Sequence, residues 1–173
     1  PAGVDAATIN TQSGEAVASS GFVYPDFASV ANLNLVGDAI QVENLLRLTP
    51  PVEWKGGAVW HADKQNVQTG FETSFDFKIS DLGSRPPYEI GADGIVFVIQ
   101  NQSASGLGPE GGDIGYTNIT NSLAIEFDTW FNNELGDPNN NHISIQTRGA
   151  LANRPDLSAS LGWTVDVPDF SDG

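Results

Sequence analysis

The reading of the fold turns on residues 123–145, LAIEFDTWFNNELGDPNNNHISI. The first eight residues alternate with period two. Leu123, Ile125, Phe127 and Thr129 fall on one face of a strand, and Ala124, Glu126, Asp128 and Trp130 on the other. The first set is expected to be buried. The second places two carboxylates side by side at the strand's end, with an aromatic residue just beyond. A polar loop follows, carrying Asn132, Asp137 and Asn139 to Asn141, and a second strand starts at His142. If the loop turns that strand back beside the first, Glu126, Asp128, Asn132, Asp137 and His142 converge on one spot.

The rest of the chain is read outward from this pair. The polypeptide has 173 residues, enough for one domain with a real core, and neither a repeat nor a linker divides residues 1–173. Short runs rich in Val, Ile, Phe and Thr are punctuated by 19 Gly and 10 Pro. This pattern predicts an all-β jelly-roll β-sandwich. Strands are expected in FASVANLNLVGDA and in AIQVENLLRLTP, joined by a Gly37–Asp38 turn, and again at Ala58–Trp60. In GFETSFDFKI, Phe71, Thr73, Phe75, Phe77 and Ile79 are expected inside. Gly94–Ile99 reads as a strand covered on both faces, and Trp163–Val167 as the last strand. A turn of helix is expected near Glu15–Ser19, and a turn at Pro86–Pro87.

The formal charge is −15, from 22 acidic and 7 basic residues. Nucleic acids and anionic membrane surfaces reward Lys and Arg clusters, so neither is expected as a partner. No apolar run is long enough to span a bilayer, and no signal peptide is seen ahead of Pro1. Cysteine is absent, which removes disulfides, thiolate nucleophiles and Cys-based metal sites.

Several motifs are excluded on context. Gly106, Gly108 and Gly111 match G-x-G-x-x-G, but Pro109 and the neighbouring glycines oppose the helix that a dinucleotide site requires, so a loop is expected. An EF-hand beginning at Asp128 fails at Trp130, Asn133 and Asn139. His61 lies in no nucleophile context and reads as a packed or exposed side chain. The acidic cluster remains. Three close carboxylates (Glu126, Asp128, Asp137) are costly to hold ionised unless a cation neutralises them. The oxygen donors suit Ca²⁺, and His142 suits Mn²⁺ or another transition ion. Residue types alone leave open an ordinary solvated acidic loop in which His142 pairs with one carboxylate.

The spacing narrows this. Counted from Glu126, the polar residues fall at +2, +6, +11 and +16, with an aromatic at +4 and Pro138 after the loop aspartate. This resembles the metal-binding segment of the legume (L-type) lectins, E-x-D-x-[aromatic]-x-N…D-P…H. FASVANLNLVGDA, GGAVWHADKQNVQTGFETSFDFKI, GADGIVFVI and EGGDIG resemble further blocks of that family in the same order, so the likeness runs from about Phe27 to Thr147. It implies a concanavalin-A-like sandwich. Asp128 and Asp137 would bridge two ions, Glu126 and His142 would complete the Mn²⁺ site, and Asn132 with the Trp130 carbonyl would complete the Ca²⁺ site.

The resemblance also implies a sugar pocket. Asp93, after a cis Ala92–Asp93 peptide, would accept hydrogen bonds from hydroxyls of a hexose-type glycan. The Asn132 amide and the Gly112 N–H would donate, and Trp130 or Phe131 would offer an aromatic face. Read without the family, Asp93 and Gly112 are ordinary turn residues. Asp113 makes the glycine loop more acidic than is usual in the family, and the chain ends where the family continues with further strands. A homo-oligomer or a complementing chain is therefore expected. The implied protein is a non-catalytic, extracellular or cell-surface lectin domain, and its acidic, cysteine-free composition suggests a bacterial or archaeal relative. The related jelly-roll glucanases use E-x-D-x-x-E; Phe131 stands where their second carboxylate would be, which argues against hydrolysis. The alternative is a structural or adhesive extracellular subunit in which the metals only stabilise the sandwich. Asn101 and Asn118 begin glycosylation sequons.

Overall fold

The computed structural model describes residues 3–4, 21–80 and 91–171. The helical turn expected near Glu15–Ser19 and the Pro86–Pro87 turn lie outside the described residues. Those residues form an all-β domain with short 3-10 turns and no α-helix among them. Ten strands are present: β1 Gly3–Val4, β2 Leu33–Gly37, β3 Ile40–Val42, β4 Leu45–Arg47, β5 Gly57–His61, β6 Ile79–Ser80, β7 Gly94–Gln100, β8 Ser122–Asp128, β9 His142–Thr147 and β10 Ser160–Thr164. Four of them make the sheet that positions the site, in the order β10-β9-β8-β7, all antiparallel. The remaining strands pair as β2-β5, β3-β4 and β1-β6.

The central register places Asp128 opposite His142, Glu126 opposite Ser144 and Val96 opposite Glu126. Directly opposed residues share a face of the sheet, so each face can be read across strands. One face carries Ile95, Phe127 and Ile143. The other carries Val96, Val98, Ala124, Glu126, Asp128, His142 and Ser144.

Each face has its own core. Ile79 and Ile95 are buried on the first, with Leu48, Phe77, Phe127 and Phe170 packed around them. The rings of Phe77 and Phe127 lie 5.1 Å apart between centroids, and those of Phe127 and Phe170 lie 5.6 Å apart, spacings at which aromatic pairs attract. Over the second face folds the glycine-rich segment between β7 and β8. Its Ile114, Tyr116 and Ile119 bury against Ala124, Val96, Val98 and Trp60.

This arrangement reverses one expectation. The carboxylate face of β8 is the more deeply buried one: Ser122, Ala124, Glu126 and Asp128 are buried, whereas Leu123, Ile125 and Phe127 are half-buried. Strand β9 behaves likewise, with His142, Ser144 and Gln146 buried and Ile145 36% exposed. Polar side chains can occupy an interior when partners satisfy them. The glycine-rich segment supplies those partners as well as the apolar cover.

Four strand expectations also change. AIQVENLLRLTP is not one strand paired across Gly37–Asp38. It folds on itself as the β3-β4 hairpin, with Val42 opposite Leu45 and Glu43 in the left-handed region at φ +54°, while β2 pairs with β5. In GFETSFDFKI the alternation of burial holds from Thr73 to Ile79, but only Ile79–Ser80 forms a regular strand, and Phe71 is 49% exposed. Strand β7 is fully buried only at Ile95 and half-buried elsewhere. The last strand begins at Ser160 rather than at Trp163.

Candidate metal and ligand site

The end of β8 delivers Asp128, and the start of β9 delivers His142 directly across from it. The loop between them returns Asp137 to the same place. Asp128, Asp137 and His142 each present a ligand atom within 4.8 Å of the others, as the spacing led us to expect. The side chains of His142 and Asp137 are 1% and 3% exposed, and Asp128 is 3% exposed. Two carboxylates this close and away from water are costly to hold ionised without a counter-charge.

The loop is shaped by its own acceptors. The Asp137 carboxylate accepts from the Asn132 N–H at 2.7 Å, and Asp128 accepts from the Trp130 N–H at 2.7 Å. Asn132 is thereby held beside Asp137. Its Oδ1 is buried and has no hydrogen-bond partner. A buried amide oxygen left unpaired is unfavourable by about 1–3 kcal/mol, so this atom has capacity for a ligand.

The imidazole is also set for ligation. His142 Nδ1 lies 3.2 Å from the Asn139 carbonyl, which can only accept, so Nδ1 carries the proton of the neutral ring. Nε2 then presents its lone pair to the cluster, 3.8 Å from Asp137 Oδ1. A ring nitrogen that donates to a carbonyl while its partner nitrogen faces carboxylates is the usual bearing of a metal-ligating histidine. The donor set of carboxylates, an amide oxygen and one imidazole fits a hard divalent cation, with the nitrogen favouring a transition ion.

Electrostatics agree. Burial, reinforced by Asp137, Glu126 and Asp93, pushes the Asp128 carboxyl up to about 8 against the Trp130 hydrogen bond. Burial likewise raises Asp137, Glu126 and Asp93 above the ordinary carboxylate range. For Glu126 the hydrogen bonds from Ser144, Tyr116 and Gln146 oppose that rise.

Glu126 lies on the same face, one register pair deeper in the sheet. Its carboxylate accepts from the Tyr116 hydroxyl at 2.6 Å, from the Ser144 hydroxyl and from Gln146 Nε2 at 3.4 Å. It is not one of the three groups whose ligand atoms share the 4.8 Å cluster. Nothing in the sequence marks Tyr116 for this contact: it is a lone aromatic inside a glycine loop.

The sugar-contact residues expected from the resemblance also lie near the cluster. The Ala92–Asp93 peptide is cis, and the Asp93 carbonyl accepts from the Thr129 N–H at 3.0 Å, fixing that turn against the end of β8. Gly94 follows at φ +138°, and a Cβ there would meet the Phe127 carbonyl at 2.3 Å, so only glycine lets β7 start so close to β8. The 3-10 turn Gly111–Asp113 brings Gly112 against Asn132, where an added Cβ would lie 2.9 Å from the amide nitrogen. Trp130 is half-buried, and Phe131 is 48% exposed.

An all-β sandwich with acidic and imidazole donors gathered at the turn between two antiparallel strands defines a class of ligand-binding modules rather than one protein. The sequence places the chain within that class: residues 25–161 match the legume lectin β-barrel domain, and the chain belongs to that family. It is similar to a lectin of Bauhinia forficata, with 30% identity over 148 residues covering 77% of this chain and 61% of that protein. An L-type lectin-domain containing receptor kinase VIII.1 of Arabidopsis thaliana is 30% identical over 82% of this chain and 21% of its own length. A galactose-binding lectin of Arachis hypogaea is 33% identical over 94 residues, covering 50% of this chain and 32% of that lectin. The chain therefore spans less than two thirds of each of these relatives.

Proposed function

We propose that the chain is a Ca²⁺- and Mn²⁺-dependent, non-catalytic carbohydrate-binding domain of an extracellular or cell-surface protein. The observation that carries this reading is the Asp128–Asp137–His142 cluster, with Asn132, whose Oδ1 is buried and unpartnered, bonded through its N–H to Asp137. An ion-binding role supplies that oxygen with a partner and the aspartates with a counter-charge. Asp128 and Asp137 would hold both ions, His142 and Glu126 the transition ion, and Asn132 with the Trp130 carbonyl the calcium. When bound, the ions supply positive charge that keeps the carboxylates ionised.

The sugar-binding work is then done by side chains and backbone. Asp93 accepts from two hydroxyls of a hexose. Asn132 would hold the ion through its Oδ1 and offer its amide N–H to the sugar, and Gly112, which packs against Asn132, would add its N–H. Of the two aromatics, Phe131 is the more exposed and better able to cover the apolar face of the sugar ring, although Trp130 adjoins the same place. Legume lectin family membership and the lectin relatives support carbohydrate as the ligand. The missing second carboxylate at Phe131 supports a role without hydrolysis. The acidic, cysteine-free composition supports a bacterial or archaeal surface origin, although the relatives named above are plant proteins. Among the described residues no helix is long and apolar enough to cross a membrane.

A second reading, a structural or adhesive subunit, is favoured by β10 and the residues after it. Leu161 and Trp163 on β10, at an edge of the sheet, are 68% and 53% exposed, and Val165 just after it is 46% exposed. Exposed apolar edges mark contact surfaces, so a homo-oligomer or a complementing chain is part of the proposal. Thermal melting and glycan-array binding, with Ca²⁺ and Mn²⁺ and then with chelator, separate the two readings. Ion-dependent stability with ion-dependent glycan signal is the expected result. Stability without any glycan signal would favour the structural role, and no ion effect at all would remove the ion-binding claim. Light scattering that finds a stable monomer would count against the partner.

A further inference from the structure

Glu126 is 2% exposed, and both of its oxygens accept from neutral side chains. Tyr116 reaches Oε1 at 2.6 Å. Ser144 reaches Oε2, and Gln146 Nε2 donates to Oε2 at 3.4 Å and to Ser144 Oγ at 3.0 Å. The donors are themselves sealed in: Tyr116 is 1% exposed, Ser144 0% and Gln146 1%. Ser144 and Gln146 belong to β9, but Tyr116 belongs to the glycine-rich segment. That segment is tied to itself by Gly108 N–H to the Gly115 carbonyl at 2.7 Å, Gly115 N–H to Pro109 at 2.9 Å and Ile114 N–H to Gly111 at 2.8 Å. It therefore meets the site at two points, Gly112 against Asn132 and Tyr116 against Glu126.

We propose that Tyr116, with Ser144 on the opposite oxygen, is a positioning residue that locks the Glu126 carboxylate and thereby couples ion affinity to the order of the glycine loop. The inference rests on the ion-binding reading above. A carboxylate has about four lone-pair directions, so two hydroxyl donors fix its orientation and still leave acceptor capacity for an ion. Partners of this kind typically change metal affinity about 10- to 100-fold when removed. Coupling is reciprocal: if a fixed loop favours the ion, the bound ion must tighten the loop by the same factor.

The test uses the full chain and Co²⁺ as a coloured probe of the nitrogen-containing site, with Ca²⁺ held constant. Tyr116→Phe removes one hydroxyl and keeps the ring. The expected result is Co²⁺ affinity about 10-fold weaker, a shifted d–d absorption band, and faster amide exchange at residues 111–116 in the Co²⁺-loaded protein. A variant that melts earlier in chelator, yet binds Co²⁺ within about 2-fold of wild type with the same spectrum, would show a purely structural tyrosine and overturn the inference alone. Wild-type protein that neither binds Co²⁺ nor changes loop exchange would overturn the ion-binding reading together with the inference. Should Tyr116→Phe not fold, Ser144→Ala removes the donor from the other oxygen. The same loss of Co²⁺ affinity is expected there, and unchanged binding overturns the lock.

Discussion

Replacing Asp128 with Asn should do two opposite things. In the ion-free protein burial pushes the Asp128 carboxyl up to about 8, from an ordinary aspartate value of 3.8. A raised carboxyl keeps its proton in the folded state while the unfolded chain releases it. Stability is therefore fully present below the unfolded value and is lost as pH rises toward the folded one. Between pH 4 and pH 7 that loss is about 3 units, or about 4 kcal/mol at 1.36 kcal/mol per unit. Asparagine keeps the acceptor for the Trp130 N–H and carries no charge, so most of the loss disappears. At pH 7 in chelator the Asp128→Asn protein should be more stable than wild type by up to about 4 kcal/mol, or about 8–16 °C in melting temperature for a domain of this size. With saturating Ca²⁺ and Mn²⁺ the order should invert, because wild type gains binding free energy that the variant has forfeited. Scanning calorimetry of both proteins, with and without ions, measures this. A variant no more stable than wild type in chelator would refute the buried-charge reasoning, and one that still gains the wild-type increment from ions would refute the ligand role.

Three further outcomes are expected. Wild-type protein in chelator should lose stability steadily from about pH 4 to about pH 8, because Asp128, Asp93, Glu126 and Asp137 are all raised by burial, and saturating ions should flatten that slope in denaturant titrations. Gly112→Ala sets a Cβ 2.9 Å from the Asn132 amide nitrogen and 3.2 Å from its Oδ1, so glycan binding should weaken about 10-fold and the ion-dependent gain in melting temperature should fall with it, both read by calorimetry. Gly94→Ala meets the Phe127 carbonyl at 2.3 Å with φ +138°, and should destabilise the fold by roughly 2–4 kcal/mol in urea unfolding, with or without ions.

The ligand loop was legible in the sequence because its constraints are local. Period-two alternation on both sides of a polar loop fixes two antiparallel strands, and the register of Asp128 opposite His142 follows once the loop closes. Burial was not local, and the reading failed there. Glu126, Ser144 and Gln146 look like a solvent face until a segment from elsewhere brings Tyr116 and its apolar neighbours to cover them. The β3-β4 hairpin was missed for a different reason. Its turn uses Glu43 at φ +54°, a residue type that carries no turn signal, whereas Gly37–Asp38 carries a strong one without closing a hairpin.

The inverted burial also supports the proposed ion site. Had the carboxylate face been left in water, Glu126, Asp128 and Asp137 could have been satisfied by solvent, and no cation would be required. Covering that face with the glycine-rich segment removes water from three acids whose nearby basic group is one imidazole. The ion-free state must then protonate or strain, which is the direction in which all the buried carboxylates shift. The glycine segment that creates this demand also carries Gly112 and presses it against Asn132. Under the proposed function, ion binding and the placement of the Gly112 N–H are two consequences of one act of burial, and a substitution that loosens the segment should weaken both together.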